Sequence, residues 1–410
     1  MFTPARISCL LLALAAGCAS PSKDQSERTP PSPGKGAAWQ RDTLSKPQAT
    51  STNEWLPPVF PKFTNAPAAK LPGSNAPATN LPPPTVAESG PAWIPLRRWI
   101  AGHHGSEPHL VAKLPLPTYG FAVGGKVFGV QVGSRVASCN NVELHLGFAP
   151  QVVSREVCVH SLDLKKNFEA LLENDFAAAD NRVVVIDPGH GGINAGARNV
   201  ASGGWEKEYT LDWARRLAPL LEERGWKVFL TRTNDTDLSL GDRVAVAEGH
   251  HADLFLSLHF NSSAESGHEQ PGLETLCLTP TGMPSDITRD FPDNPREVFP
   301  NNAFDADNVR WAMRVQSALL KADGLADRGV RRARFPGVLR TQKRPAVLIE
   351  GGFVSNPAEA RRIASAEHRQ QLAEALAAAF GELEVNGQKT EAAVTNSTST
   401  RNETRTIPTP

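Results

Sequence analysis

The chain predicts an α/β fold: a mostly parallel mixed sheet with helices on both faces, preceded by a small β-rich domain. Two observations predict it. From Arg182 onward, apolar runs of strand length alternate with longer amphipathic stretches, the pattern of a parallel sheet covered on both sides. Between Trp93 and about Phe176, short alternating runs are separated by Gly and Asn turns. The flanking segments, rich in Pro, Ser, Ala and Thr, cannot bury a core of their own.

The first residues read as an export signal. Arg6 gives the positive start, Ile7 to Ala16 is apolar, and Ala15, Ala16 and Gly17 are small. Such a segment is too short to span a bilayer. Leu14-Ala15-Ala16-Gly17-Cys18 resembles a bacterial lipobox, with Ala15 where Leu is commonest. That resemblance implies residues 1–18 are a lipoprotein signal and that Cys18 carries lipid and anchors the chain to a membrane. Ala19 is not an Asp-type retention residue, so the expected place is the periplasmic side of the envelope, at the outer membrane where there are two.

Residues 19–92 follow as a disordered Pro/Ser/Ala-rich tether, with a reach of about 200 Å if fully extended at roughly 3.1 Å per residue. Residues 93–176 form the β-rich module, with runs such as Lys126 to Val132 and Val142 to Leu146. Trp93 to Leu96, Gly133 to Ala137 and Val157 to Leu162 resemble the copper amine oxidase-like module found beside some wall enzymes, which implies no copper. Wall binding and plain spacing are both open for it.

Residues 177–384 are the expected catalytic domain. Its strands are Val183 to Asp187, Trp226 to Thr231, Asp253 to His259, Leu273 to Leu278 and Ala346 to Glu350. Helices are expected at Trp205 to Arg224, where Trp213, Leu217, Leu220 and Leu221 share a stripe, and at Leu240 to Gly249, Asp307 to Asp323 and Ala366 to Phe380. Residues 385–410 read as a disordered tail. With 43 basic and 43 acidic residues the net charge is zero, so nucleic acid is not an expected partner. Beyond Cys9 and Cys18 there remain Cys139, Cys158 and Cys277. The first two can pair in an oxidising compartment, and the last reads as a small buried hydrophobe.

Polar groups stand where the apolar strands end, the edge at which doubly wound sheets collect their ligands. His190 lies in Asp187-Pro188-Gly189-His190-Gly191-Gly192, Glu206 opens a helix, and His259 ends a strand. Singly, each reads as a turn, cap or core residue. Together, two imidazoles and a carboxylate match a catalytic zinc site with an open position, whereas magnesium and calcium prefer all-oxygen shells. Glu350 ends the strand from Ala346 and arrives at the same edge as a general base.

These motifs resemble the zinc-dependent N-acetylmuramoyl-L-alanine amidases, whose mixed sheet is related in plan to zinc carboxypeptidases. The resemblance rests on Val185 to Gly192 with Gly196-Ala197, Glu206-Lys207-Glu208, Leu240 to Val244 and Ala252 to Asn261. Asp327 to Val330 and Pro345 to Pro357 complete it. It implies peptidoglycan as substrate, hydrolysis of the bond between N-acetylmuramic acid and L-alanine, His190, Glu206 and His259 as zinc ligands, and Glu350 as catalytic carboxylate. Glu208 competes with Glu206, but the family places its ligand directly before a Lys-acidic pair. In some relatives an inserted helix blocks the metal until an activator partner removes it. Here Pro271, Pro280, Pro284, Pro292, Pro295 and Pro300 favour a loop forming a groove wall over such a plug. His268 in that loop reads as solvated, as do His103-His104 and His250-His251. The rivals are a zinc carboxypeptidase, with Arg328, Arg331, Arg332 or Arg334 gripping a terminal carboxylate, and a non-catalytic wall-binding lipoprotein.

Overall fold

A computed structural model describes residues 92–173, 181–263, 271–289 and 292–381. The signal with Cys18, most of the tether, His268 and the tail lie outside them. Fourteen strands are present among the described residues. The first eight are β1 (Trp93–Pro95), β2 (His109–Ala112), β3 (Thr118–Val123), β4 (Lys126–Gln131), β5 (Val136–Cys139), β6 (Val142–His145), β7 (Gln151–Val153) and β8 (Glu156–His160). The remainder are β9 (Val183–Pro188), β10 (Lys227–Leu230), β11 (Leu254–Asn261), β12 (Leu273–Leu278), β13 (Asp327–Ala333) and β14 (Ala346–Phe353). Helices used below are α1 (Leu96–Gly102), α2 (Glu206–Glu222), α3 (Leu240–Gly249), α4 (Asp305–Asp323), α5 (Gly337–Arg340), α6 (Pro357–Ala364) and α7 (Ala366–Ala378).

Strands β10, β9, β11 and β14 run parallel in that order. Strand β12 then pairs antiparallel with β14 and parallel with β13, so the sheet is mixed. Alternation sorts the side chains between two layers. Val184, Ile186, Leu256, Leu258, Val347 and Ile349 pack with Trp213 and Leu217 of α2, Val315 of α4 and Leu376 of α7. Val183, Val185, Phe255, Ala346 and Leu348 pack on the other side with Ala247 of α3 and Val338 and Leu339 of α5. Helices therefore cover both faces, and the expected stripe on α2 is buried at Trp213, Leu217 and Leu221, with Leu220 half-buried.

The β-rich stretch joins this sheet edge to edge. Strands β6, β5, β4, β3 and β2 form an antiparallel meander, and β6 pairs parallel with β13 through Leu144 and Val330. Its two-residue turns place both residues at positive φ, as at Gly124 (58°) and Gly125 (75°), which suits the twist of a tight hairpin. Polar contacts seal the join. Glu143 N–H donates to Asp327 Oδ2 at 2.7 Å, and the fully buried Arg332 of β13 donates to Lys166 O and Asn167 Oδ1 at 3.1 and 2.8 Å. Strand β13 was not read from the sequence as a strand because three of its seven residues are arginines.

Cys139, Cys158 and Cys277 are buried free thiols, so no bridge joins Cys139 to Cys158. The first lies on β5 of the large sheet and the second on β8 of the separate β1–β8–β7 sheet. Cys277 packs in the main core as expected. From 279 to 299 the described residues form no helix; Arg334 holds the loop by donating to Pro280 O, Met283 O and Asp293 Oδ1 at 2.8, 2.6 and 2.6 Å. No helix among the described residues is long and apolar enough to cross a membrane.

Candidate active site

The site is built at the carboxyl edge of β9, β11 and β14. Parallel register sets Leu258 beside Pro188 and His259 beside Glu350, so strand pairing brings two of the expected residues level. His190 follows β9 by two residues and adopts φ 62°, a left-handed conformation uncommon outside glycine. The turn is held from below. Pro188 O accepts from Arg232 Nε and Arg243 Nη1 at 3.0 and 2.9 Å, Gly189 O from Arg232 Nη2 at 2.9 Å, and His190 O from Arg243 Nη2 at 2.7 Å. Asp187, buried beneath, accepts from Arg243, Thr231 and Ser257 at 2.7, 2.6 and 2.8 Å.

Glu206, the first residue of α2, lies between the two imidazoles. His259 Nδ1 is 3.0 Å from its Oε1, and His190 Nε2 is 3.1 Å from its Oε2. Backbone N–H groups of Phe260 and Ala197 donate to the same two oxygens at 3.1 and 3.0 Å. Burial opposes charge on Glu206, but the hydrogen bonds to both histidines outweigh it and hold the carboxyl far below its usual range. Burial likewise opposes charge on His190, yet its contact with Glu206 raises its pKa above the ordinary value. One donor atom from each of His190, Glu206 and His259 falls within 4.8 Å of the others.

Glu208 goes elsewhere: it turns back and accepts from the Trp205 N–H at 3.1 Å, capping its own helix. Gly196 explains itself by proximity. A Cβ there would stand 2.7 Å from Glu206 Oε2 and from His190 Cδ2.

Glu350 lines the same cavity, of about 360 Å³, with His190, Glu206 and His259. Burial pushes its carboxyl up to about 8, with Glu206 and Glu274 adding to the rise against His259 and Arg289. Its Oε2 is buried and has no hydrogen-bond partner among the described residues. Arg332 and Arg334 are buried in structural contacts, and Arg328 and Arg331 are paired with Glu274.

Sequence reading missed Asn194, whose Oδ1 lies 2.9 Å from His190 Nδ1, and the two arginines beneath the turn. Arg232, two residues after the apolar strand β10, carried a positional signal, since it too stands at the carboxyl edge of the sheet. Asn194 carried none.

Fold and site together define an α/β protein with a two-histidine, one-carboxylate cluster and a separate carboxylate at the ligand-collecting edge of its sheet. The family described as N-acetylmuramoyl-L-alanine amidase matches residues 184–382. The chain is similar to the amidase AmiA of Escherichia coli K12, at 32% identity over 217 residues, 48% of this chain and 74% of that protein. It is also similar to LytC of Bacillus subtilis 168, at 34% identity over 194 residues, 47% of this chain and 34% of that protein. Among solved structures, the catalytic domain of CwlV from Bacillus (Paenibacillus) polymyxa var. colistinus matches with 30% identity and a TM-score of 0.40, over 48% of this chain and 96% of that one. The chain belongs to the N-acetylmuramoyl-L-alanine amidase family, and it hydrolyses the amide bond between N-acetylmuramic acid and L-alanine in peptidoglycan.

Proposed function

We propose that this amidase is zinc-dependent, with His190, Glu206 and His259 holding the ion and Glu350 moving the proton. One observation carries the reading: three donor atoms of zinc type lie within 4.8 Å of one another, beside a buried carboxylate oxygen without a partner among the described residues. The donor set suits zinc, since paired imidazoles are poor ligands for magnesium and calcium, and the ionised Glu206 balances part of a divalent charge. Zinc, when bound, supplies Lewis acidity toward an amide carbonyl and acidifies water. Asn194 accepts from His190 Nδ1 and so fixes the tautomer that turns Nε2 toward Glu206. Glu350 in its ionised form takes the proton from the attacking water and gives it to the departing amide nitrogen, its Oε2, unpartnered among the described residues, being the receiving atom. The buried Asp187–Arg243 pair keeps the His190 turn from relaxing.

The enzyme is exported and held at the periplasmic side of the envelope, at the outer membrane where there are two, by lipid on Cys18. Residues 19–92 act as the tether, the β-rich residues 93–176 as a positioning module beside the catalytic residues 177–384, and residues 385–410 as a tail. The Pro-rich loop forms a groove wall rather than a helical plug over the metal site.

Metal analysis and wall digestion of the purified protein test the core of this reading. One zinc per chain and release of stem peptides with free L-alanine amino ends are expected. Glu350→Ala retains metal and fold but loses cleavage by about 10²–10⁴-fold. Full activity in that variant, or undiminished digestion by rigorously metal-free protein, overturns the assignment.

A further inference from the structure

The catalytic cavity does not end at Glu350. A second, more polar hollow of about 400 Å³ opens beside it and shares Asn261, Ser262 and Arg289 as walls. Most of its charge is already matched. Arg328 Nε lies 3.1 Å from Glu274 Oε2, while Arg331 places Nε 2.5 Å from Asp286 Oδ2 and Nη1 3.5 Å from Glu274 Oε2.

Arg289 is different. It stands on the loop between β12 and α4, exposed, with its guanidinium 4.6 Å over the Phe335 ring and 3.4 Å from Asn261 Oδ1. None of its contacts is to a carboxylate among the described residues. Among the described residues lining the hollow, three arginines therefore face two acids, leaving one positive charge. An arginine laid on an aromatic face and tied to an amide oxygen is oriented without being neutralised, and its planar fork suits a carboxylate.

The substrate supplies the complement. Its scissile amide joins a neutral sugar chain to a peptide that bears free carboxylates, so the cleft needs one arm for each. Leu240 and the stretch from Phe335 to Val338, which also line the catalytic cavity, carry no charge, which leaves the polar hollow for the acidic arm.

We propose that Arg289 is a specificity-determining residue that receives a carboxylate of the stem peptide in the hollow beside the catalytic cavity. This rests on the amidase reading, and the test separates the two. Two soluble muropeptides with the same glycan are compared, one with free stem carboxylates and one with them amidated. Zinc-loaded wild-type protein favours the free form by about tenfold, through KM rather than kcat, as expected for one charge-assisted contact on a partly exposed arginine. In Arg289→Gln the two substrates become alike, and Arg289→Lys recovers part of the preference. Calorimetry supplies a readout independent of turnover: Glu350→Gln binds the free muropeptide more tightly than the amidated one, and Glu350→Gln/Arg289→Gln does not. A wild-type enzyme that cleaves both alike, or a preference that survives Arg289→Gln, overturns the proposal and leaves the amidase reading standing. No cleavage of either substrate by wild type removes both.

Discussion

His190 shows how much of this site is decided within a few ångströms. Its φ of 62° is an unfavourable choice for a non-glycine residue, and it persists because two buried arginines hold the carbonyls of residues 188, 189 and 190. Arg243→Ala leaves Asp187 without its ion-pair partner in a dry environment. It is expected to lower stability by about 3–5 kcal/mol, read from denaturant midpoints. Asn194 acts on the ring rather than the backbone. Asn194→Ala is expected to weaken zinc binding by about 10–100-fold in chelator competition while the unfolding midpoint stays near wild type, because Asn194 only orients the imidazole. Asn194 was not legible in the sequence, since a hydrogen-bond acceptor is recognised only once its donor is in place. His190, Glu206, His259 and Glu350 were legible because each stands where an apolar run ends or a helix begins.

At the scale of elements, periodicity marked helices α2, α3, α4 and α7 and strands β9, β10, β11, β12 and β14 closely, because their apolar side chains face the core, whereas the short helices α1, α5 and α6 were not marked. Strand β13 escaped because Arg332 is buried against carbonyls while Arg328 and Arg331, half-buried, are matched by acids, a tertiary solution that hydropathy cannot anticipate. Helix α7 carries a titration that bears on stability. Burial first, then Arg362 and Arg369, lower the pKa of His368 to about 4 from an ordinary 6.5. A depressed pKa means the folded state binds the proton less tightly than the unfolded chain does. The stabilisation is therefore complete above about pH 6.5 and is lost as pH falls toward 4. Thermal midpoints should drop across that window, and the drop should be shallower in His368→Gln; equal slopes would mean that His368 is not the group responsible. On α2, Trp213→Ala removes a fully buried indole from the main core and is expected to cost about 3–5 kcal/mol in denaturant titrations.

At the scale of the whole molecule, the β-rich stretch and the catalytic stretch share one eleven-stranded sheet. Removing residues 92–173 uncovers the edge of β13 and strips Arg332 of Lys166 O and Asn167 Oδ1. A protein comprising residues 181–381 is expected to melt lower than the longer chain and to aggregate, seen as concentration-dependent scattering. A fragment equally stable and monodisperse would show that β6 contributes nothing to the catalytic sheet.

The sequence by itself determined the α/β class, the position of the ligand-collecting edge and the four polar residues at it. Those features follow from local patterning: where an apolar strand stops, its next side chain has nowhere to go but the rim. Only the tertiary structure decided that β6 continues the sheet from β13 and that Arg289 contacts no acid among the described residues. Those outcomes depend on which distant groups meet. Register, burial and charge matching are settled between segments far apart in the chain, and no local pattern records them.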